Sequence, residues 1–196
     1  MKRYRILCET EETRGERVLG EMAVEVVSLK LGIREPRLRF MVRDERGEIG
    51  FEREVAGLCR RDGIFVLKGL PPAMLVRTTV HEVRHAYQRE KMKWLSVGSA
   101  EKDALLFETE LLDGVRGRDE FSLTLDLAAI GARVMVEQGR EEDAEHYLRL
   151  LRSRPEVVEE IEGLKQIARI KARYRQELEA ERANHRLNYL PGVELR

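Results

Sequence analysis

Cysteine is nearly absent from this chain: among 196 residues only Cys8 and Cys59 occur, far apart and in no CxxC spacing. That excludes a disulfide scaffold or a cysteine-ligated zinc module, and it fits two free thiols in a reducing cytoplasm. An excess charge of one sign is also missing, because 36 Lys and Arg balance 36 Asp and Glu. No general field draws the chain to nucleic acid or to an anionic membrane, so direct nucleic-acid binding is not expected. Basic clusters at Arg34–Arg43 and Arg169–Arg175 have acids interleaved nearby, the pattern of solvated faces. Long apolar runs are lacking as well. The opening MKRYRILCETEETRGER is too poor in apolar residues for a signal peptide, and no later stretch approaches a membrane span. A soluble cytoplasmic protein is therefore expected. Asn and Gln are scarce and Arg outnumbers Lys, which points to a thermophilic source.

What is present is charge and helical periodicity. Charged residues make up 37% of the chain, against about a quarter in ordinary domains, while the apolar share still allows a real core. From Arg14 to Leu31, Val18, Met22, Val26 and Leu29 recur at three- and four-residue steps, an amphipathic helix stopped by Gly32. RLRFMVR at 37–43 and GEIGFE at 47–52 alternate like half-buried strands around a DERG turn. VAGLCRRDGIFVLKG repeats the arrangement, with a turn at Gly63 and the β-prone run IFVLK. A small antiparallel sheet over about 37–68 is predicted.

Pro71 and Pro72 break the chain and open a helix that runs to about residue 91. Ser99 is the expected N-cap of the next helix, SAEKDALLFETELL, and DGVRGRDE reads as a linker. Everything beyond is helical in character. LAAIGARVMVEQGREEDAEHYLRLLRSRP forms a helical hairpin whose Gly139, Ala144 and Leu148 match the core spacing of a tetratricopeptide-type repeat. Such repeats normally stack in threes, so an ordinary hairpin packed on the preceding domain is the favoured reading. Residues 156–183 form a long charged helix, followed by a partly ordered tail. The expected fold class is α+β, with the sheet packed on the central helix and an all-helical C-terminal region. The expected divisions are an α+β domain at 1–113, a helical region at 118–185 and a tail at 186–196.

The chemistry lies in His81-Glu82-Val83-Arg84-His85, an HExxH segment. On a helix, positions i and i+4 share a face, so both imidazoles can reach one ion. Neutral imidazole is a good zinc ligand, and Glu82 projects close enough to take the proton of the attacking water. Three such groups among Leu75, Thr79, Val80 and Ala86 would be costly to bury without a metal. A catalytic zinc needs a third protein ligand. His146 and His185 lie far downstream on charged helices and read as surface residues. The following helix offers Glu101, Asp103, Glu108 and Glu110. Glu101 and Glu108 share its apolar face, traced through Ala104, Leu105, Leu111 and Leu112, whereas Asp103 and Glu110 point away. Glu101 is the best candidate; Glu108 is the second, as an alternative ligand or as a carboxylate supporting one.

Three stretches resemble the ImmA/IrrE-type metallopeptidases, minimal gluzincins of bacteria, phages and integrative elements. Gly57–Leu67 resembles the hairpin that leads into that family's active-site edge strand. Thr78–His85 resembles its T-x-x-H-E-x-G-H segment. Glu101-Lys102-Asp103-Ala104, with Phe107 and Glu110-Leu111-Leu112, resembles its E-x-E-A-N-x-F-A-x-E-L-L segment, whose first Glu binds zinc. The resemblance spans about residues 20–113 and implies zinc on His81, His85 and Glu101, with Glu82 as the base. This chain departs from the pattern with Arg84 for Gly, Leu105 for Asn and Glu108 for Ala, and a bulky Arg84 could narrow the site. SprT-like proteases share HExxH but usually bring a third histidine, which is not evident here.

The expected activity is zinc-dependent peptide hydrolysis. Ile64, Phe65, Val66, Leu67 and Lys68 are expected to pair with an extended substrate as an added strand. The resemblance implies a protein substrate such as a repressor of a phage or mobile element, with the C-terminal helices choosing the partner. The rival expectation is a non-catalytic regulatory protein that keeps the zinc scaffold.

Overall fold

The computed structural model describes residues 5–6, 14–42, 56–93, 95–113, 115, 117 and 119–188. In chain order it contains β1 (Arg5–Ile6), α1 (Arg14–Leu31), β2 (Leu38–Val42), β3 (Gly57–Arg60), β4 (Gly63–Leu67), α2 (Pro72–Lys91) and α3 (Val97–Leu111). Then follow α4 (Glu120–Glu137), α5 (Glu141–Leu150), a short 3-10 turn at Leu151–Ser153 and α6 (Pro155–Asn188). The class is α+β, as the sequence leads one to expect. The strand at 47–52 and its DERG turn fall outside the described residues, as does Cys8.

The sheet is mixed, not antiparallel. Its order is β1-β2-β4-β3. β3 and β4 form the expected antiparallel hairpin across Arg61-Asp62, but β2 and β4 run parallel, with Leu38 opposite Ile64 and Met41 opposite Leu67. All five residues of β4 are buried, so its backbone donors and acceptors need partners on both edges. β2 fills the second edge. The alternation expected of a half-buried strand is absent because both faces of β4 are covered. Ile64 and Val66 enter the main core, whereas Phe65 and Leu67 pack with Met41 on the opposite face, where Arg39 and Arg60 lie over the Phe65 ring.

Helix α1 buries Leu19, Met22, Ala23, Val26 and Val27, while Val18 stays exposed. The apolar stripe is thus one residue away from the simplest reading of its periodicity, and wide enough to meet both α2 and α4. Glu16 ties the start of α1 to the turn before α2 by accepting a hydrogen bond from the Gly69 N–H at 2.9 Å. Helix α2 starts after Pro71, with Pro72 in the first turn, and buries Leu75, Val76, Thr79, Val80 and Val83. Helix α3 starts at Val97. Its cap is Ser96, whose extended backbone lets the hydroxyl accept from Ser99 N, so Ser99 sits inside the first turn instead of capping it.

The C-terminal helices share the core of the first half. One apolar cluster runs from α1, β4 and α2 through Leu123, Leu127 and Ala132 of α4 to Tyr147, Leu151 and Ile161. Gly139 turns α4 into α5 at φ 73°, and Ala144 and Leu148 are buried at the expected spacing. Tyr147 donates to Glu25 on α1 at 2.6 Å. Helix α6 continues past 183 to Asn188, since nothing in NHRLN breaks a helix before Pro191. Among the described residues no helix is long and apolar enough to cross a membrane.

Gly63 has φ 144°, and a Cβ there would lie 2.3 Å from the Arg37 carbonyl oxygen. Gly63→Ala is expected to cost about 2 kcal/mol or more in urea unfolding, combining backbone strain with a displaced strand pair. Gly98→Ala, which meets nothing within 4 Å inside a helix, should be neutral or stabilising in the same assay.

Candidate metal centre

One face of α2 presents His81 and His85 a turn apart. Their Nε2 atoms stand 3.1 Å from each other, with the rings edge to face at 81°. α3 folds back against α2 and brings Glu101 to the same point. Its Oε2 is 3.3 Å from His81 Nε2 and its Oε1 is 3.3 Å from His85 Nε2. Donors about 2.0–2.1 Å from a tetrahedral zinc stand about 3.3 Å apart, so these spacings fit that ion. The arrangement leaves a fourth side open to a groove of about 1140 Å³. Its walls include Leu58, Pro71, Met74, Met92, Leu95 and Val97, and its polar floor carries the two histidines with Glu82, Glu101 and Glu108. His146 is exposed on α5 and takes no part.

Glu82 is buried at 7% exposure yet lines the groove. Burial pushes its carboxyl up to about 7; the neighbouring His81 and a hydrogen bond from the Cys59 backbone oppose that shift, while Glu101 adds to it. Such a carboxyl can both take and return a proton near neutrality. Space for it comes from Gly57 on β3. A Cβ at that position would fall 2.8 Å from Glu82 Oε1, 2.7 Å from its Cγ and 2.6 Å from Thr78 Cγ2. Beside it, Cys59 is a free thiol, raised by burial and touched by Arg89 Nη1 at 3.5 Å.

Each histidine has a partner behind it. His81 Nδ1 lies 3.4 Å from Glu108 Oε2, on the side of the ring opposite Glu101. Arg77 donates to the other Glu108 oxygen at 2.8 Å. Burial tends to raise Glu108, but the bonds from His81 and Arg77 outweigh it and hold the carboxyl below its ordinary range. The same contact with Glu108 raises His81. Of the two roles open to Glu108 in the sequence, support of His81 is the one its position fits.

Behind His85, Nδ1 meets Gln88 Oε1 at 2.8 Å, and Gln88 Nε2 donates to Ala100 O at 2.8 Å and to Asp103 Oδ2 at 2.6 Å. Arg84 forks onto both Asp103 oxygens at 2.7 and 2.9 Å and keeps that carboxyl below its usual range. Its guanidinium lies over the rings of Tyr87 and Phe107. Arg84 therefore points along the α2–α3 seam and is not among the groove-lining residues, so it does not narrow the site. Asp103 likewise faces α2 instead of pointing away, and Leu105, assigned to the apolar face from its spacing, is 54% exposed.

The substrate-strand expectation needs correction. β4 is central, paired with β2 on one side and β3 on the other, and Lys68 N donates to Met41 O. Its backbone has no free edge for Ile64, Phe65, Val66, Leu67 and Lys68 to offer. Among the described residues β3 is the outer strand on that side, and Ala56, Gly57, Leu58 and Cys59 line the groove. Sequence reasoning missed Arg77, Gln88 and Gly57. Arg77 and Gln88 stand four before His81 and three after His85, a helical spacing that marks them as neighbours, but their partners on α3 require the fold.

No family model matches the chain, and neither the curated proteins nor the solved structures yield a match.

Because the atoms nearest Gly57 include Thr78 Cγ2 and Glu82 Cγ, both close to the α2 backbone, an added methyl must push β3 away from α2. Gly57→Ala is expected to lose about 1–3 kcal/mol in urea unfolding. An unchanged midpoint would show that strand and helix do not pack this closely.

Proposed function

We propose that this chain is a zinc-dependent metallopeptidase that cleaves a protein or peptide substrate. The observation that carries the reading is the convergence of His81 Nε2, His85 Nε2 and the Glu101 carboxylate at tetrahedral spacings, beside a buried Glu82 and an open groove. The donor set of two imidazoles and one carboxylate is the kind that catalytic zinc sites use. When bound, zinc supplies Lewis acidity, bringing a coordinated water to a pKa of about 7 and polarising a carbonyl oxygen.

The protein residues divide the remaining work. Glu82, with its carboxyl near 7, takes the proton of the attacking water and returns it to the departing amine nitrogen. The outer edge of β3 offers backbone groups to an extended peptide laid along the groove, giving main-chain recognition with little sequence selectivity. Leu58, Met74 and Met92 line the same groove and suit apolar side chains beside the scissile bond. A regulatory protein of a phage or mobile element is the substrate class that the resemblance at residues 20–113 favours.

Metal content and cleavage together test the reading. The purified chain should carry one zinc ion by elemental analysis, and His85→Ala and Glu101→Ala should lose it. Glu82→Gln should keep the metal but cleave fluorescein-labelled casein or a mixed peptide library about 10²–10⁴-fold more slowly. Equal cleavage by Glu82→Gln and the wild type would sink the peptidase reading. Bound metal without any cleavage by the wild type would favour the non-catalytic scaffold.

A further inference from the structure

Arg84 lies inside the HExxH turn, at a position that can neither ligate a metal nor reach the groove. Its side chain is 13% exposed, which is little for a guanidinium, and its fork is spent on one carboxylate. Beyond that carboxylate lies Gln88, itself 4% exposed, and beyond Gln88 lies a ring nitrogen of His85. An unbroken chain of hydrogen bonds thus runs from Arg84 through Asp103 and Gln88 to His85.

The direction of that chain follows from donor and acceptor counts. Arg84 can only donate, so with both oxygens facing its guanidinium Asp103 stays an ionised acceptor. The Gln88 amide must then present its NH₂ to Asp103, and the same nitrogen donates to the Ala100 carbonyl. Both amide hydrogens are committed, which leaves Gln88 Oε1 as the atom facing His85 Nδ1. An oxygen acceptor there requires Nδ1 to carry the hydrogen. The lone pair of His85 is consequently on Nε2, the atom turned toward His81 Nε2 and Glu101 Oε1. The same bonds hold α3 against α2 through Asp103, two residues from Glu101.

We propose that Arg84 is a positioning residue for metal binding, fixing the tautomer and orientation of His85 through Asp103 and Gln88 and holding Glu101 opposite it. This rests on the reading of His81, His85 and Glu101 as metal donors. A buried arginine is costly in a turn where the related pattern has glycine, and the fork explains why lysine, with one point charge, would not serve as well.

The test is zinc affinity of the full chain, measured by competition with a chelating dye, with the visible spectrum of the cobalt(II) form alongside. Arg84→Met, which keeps bulk and apolar contact with Tyr87 and Phe107, should weaken zinc binding by about tenfold or more and alter the cobalt band. Gln88→Met should do the same, and the loss in the double variant should fall well short of the product of the two single losses, because both variants break one chain. Should Arg84→Met fail to fold by near-ultraviolet circular dichroism, Asp103→Asn carries the test at constant volume and should show the same loss. If the wild type binds zinc and Arg84→Met binds it as tightly with the same cobalt spectrum, this inference alone falls. It falls too if the losses from Arg84→Met and Gln88→Met multiply. If the wild type takes up neither metal, the donor reading falls and this one with it.

Discussion

Helix α2 packs against α1 and against β3 and β4, yet it carries His81, Glu82, Arg84, His85 and Gln88 within two turns. Polar groups withdrawn from water must find partners or the helix cannot stay where its apolar face puts it. α3 supplies those partners almost alone. Glu101, Asp103 and Glu108 each meet α2 side chains, and Ala104, fully buried between them, lets the two helices come close. The requirement that buried charge be answered thus sets the position of α3, and the position of α3 brings Glu101 to the two histidines.

The other packing contacts hold α2 against that pull. Leu75, Val76, Val80 and Val83 anchor it in the core with α1 and β4. α4 closes the far side of α1, and Tyr147 reaches through to Glu25. The helical C-terminal region is therefore part of the support under the site. β3 lies on the open side, and its Gly57 lets the strand backbone approach Glu82 closely enough to bury the carboxylate.

Much of this was legible in the sequence. HExxH names its own helix and its own ring pair because a four-residue step is a property of the helix alone. Glu101 follows from its helical face and from the resemblance of its segment, and the fold brings it to the two histidines. Less legible were the relations between elements. Asp103 was assigned away from α2, and Leu105 toward the core, because a helical wheel cannot say which flank of an apolar stripe a neighbour will cover. The strand pairing was misread for a similar reason: alternation over 37–43 shows a strand but not its partner, and β2 joined β4 in parallel once β4 was buried on both faces.

Arg84 shows most clearly where the two kinds of information divide. From the sequence it was an intrusion into a metal motif, a bulky cation beside the ligands. In the fold its direction along the seam turns it away from the groove and onto Asp103. Local periodicity by itself determined the helices, the hairpin turn at Gly63, the pair of histidines and the glutamate between them, since each depends on residues within one turn or one strand. The tertiary structure alone decided that Glu108 and Asp103 also face α2, which strand is outermost among the described residues and where Arg84 points. Those are contacts between residues many helical turns apart along the chain, and only packing brings them within hydrogen-bond distance.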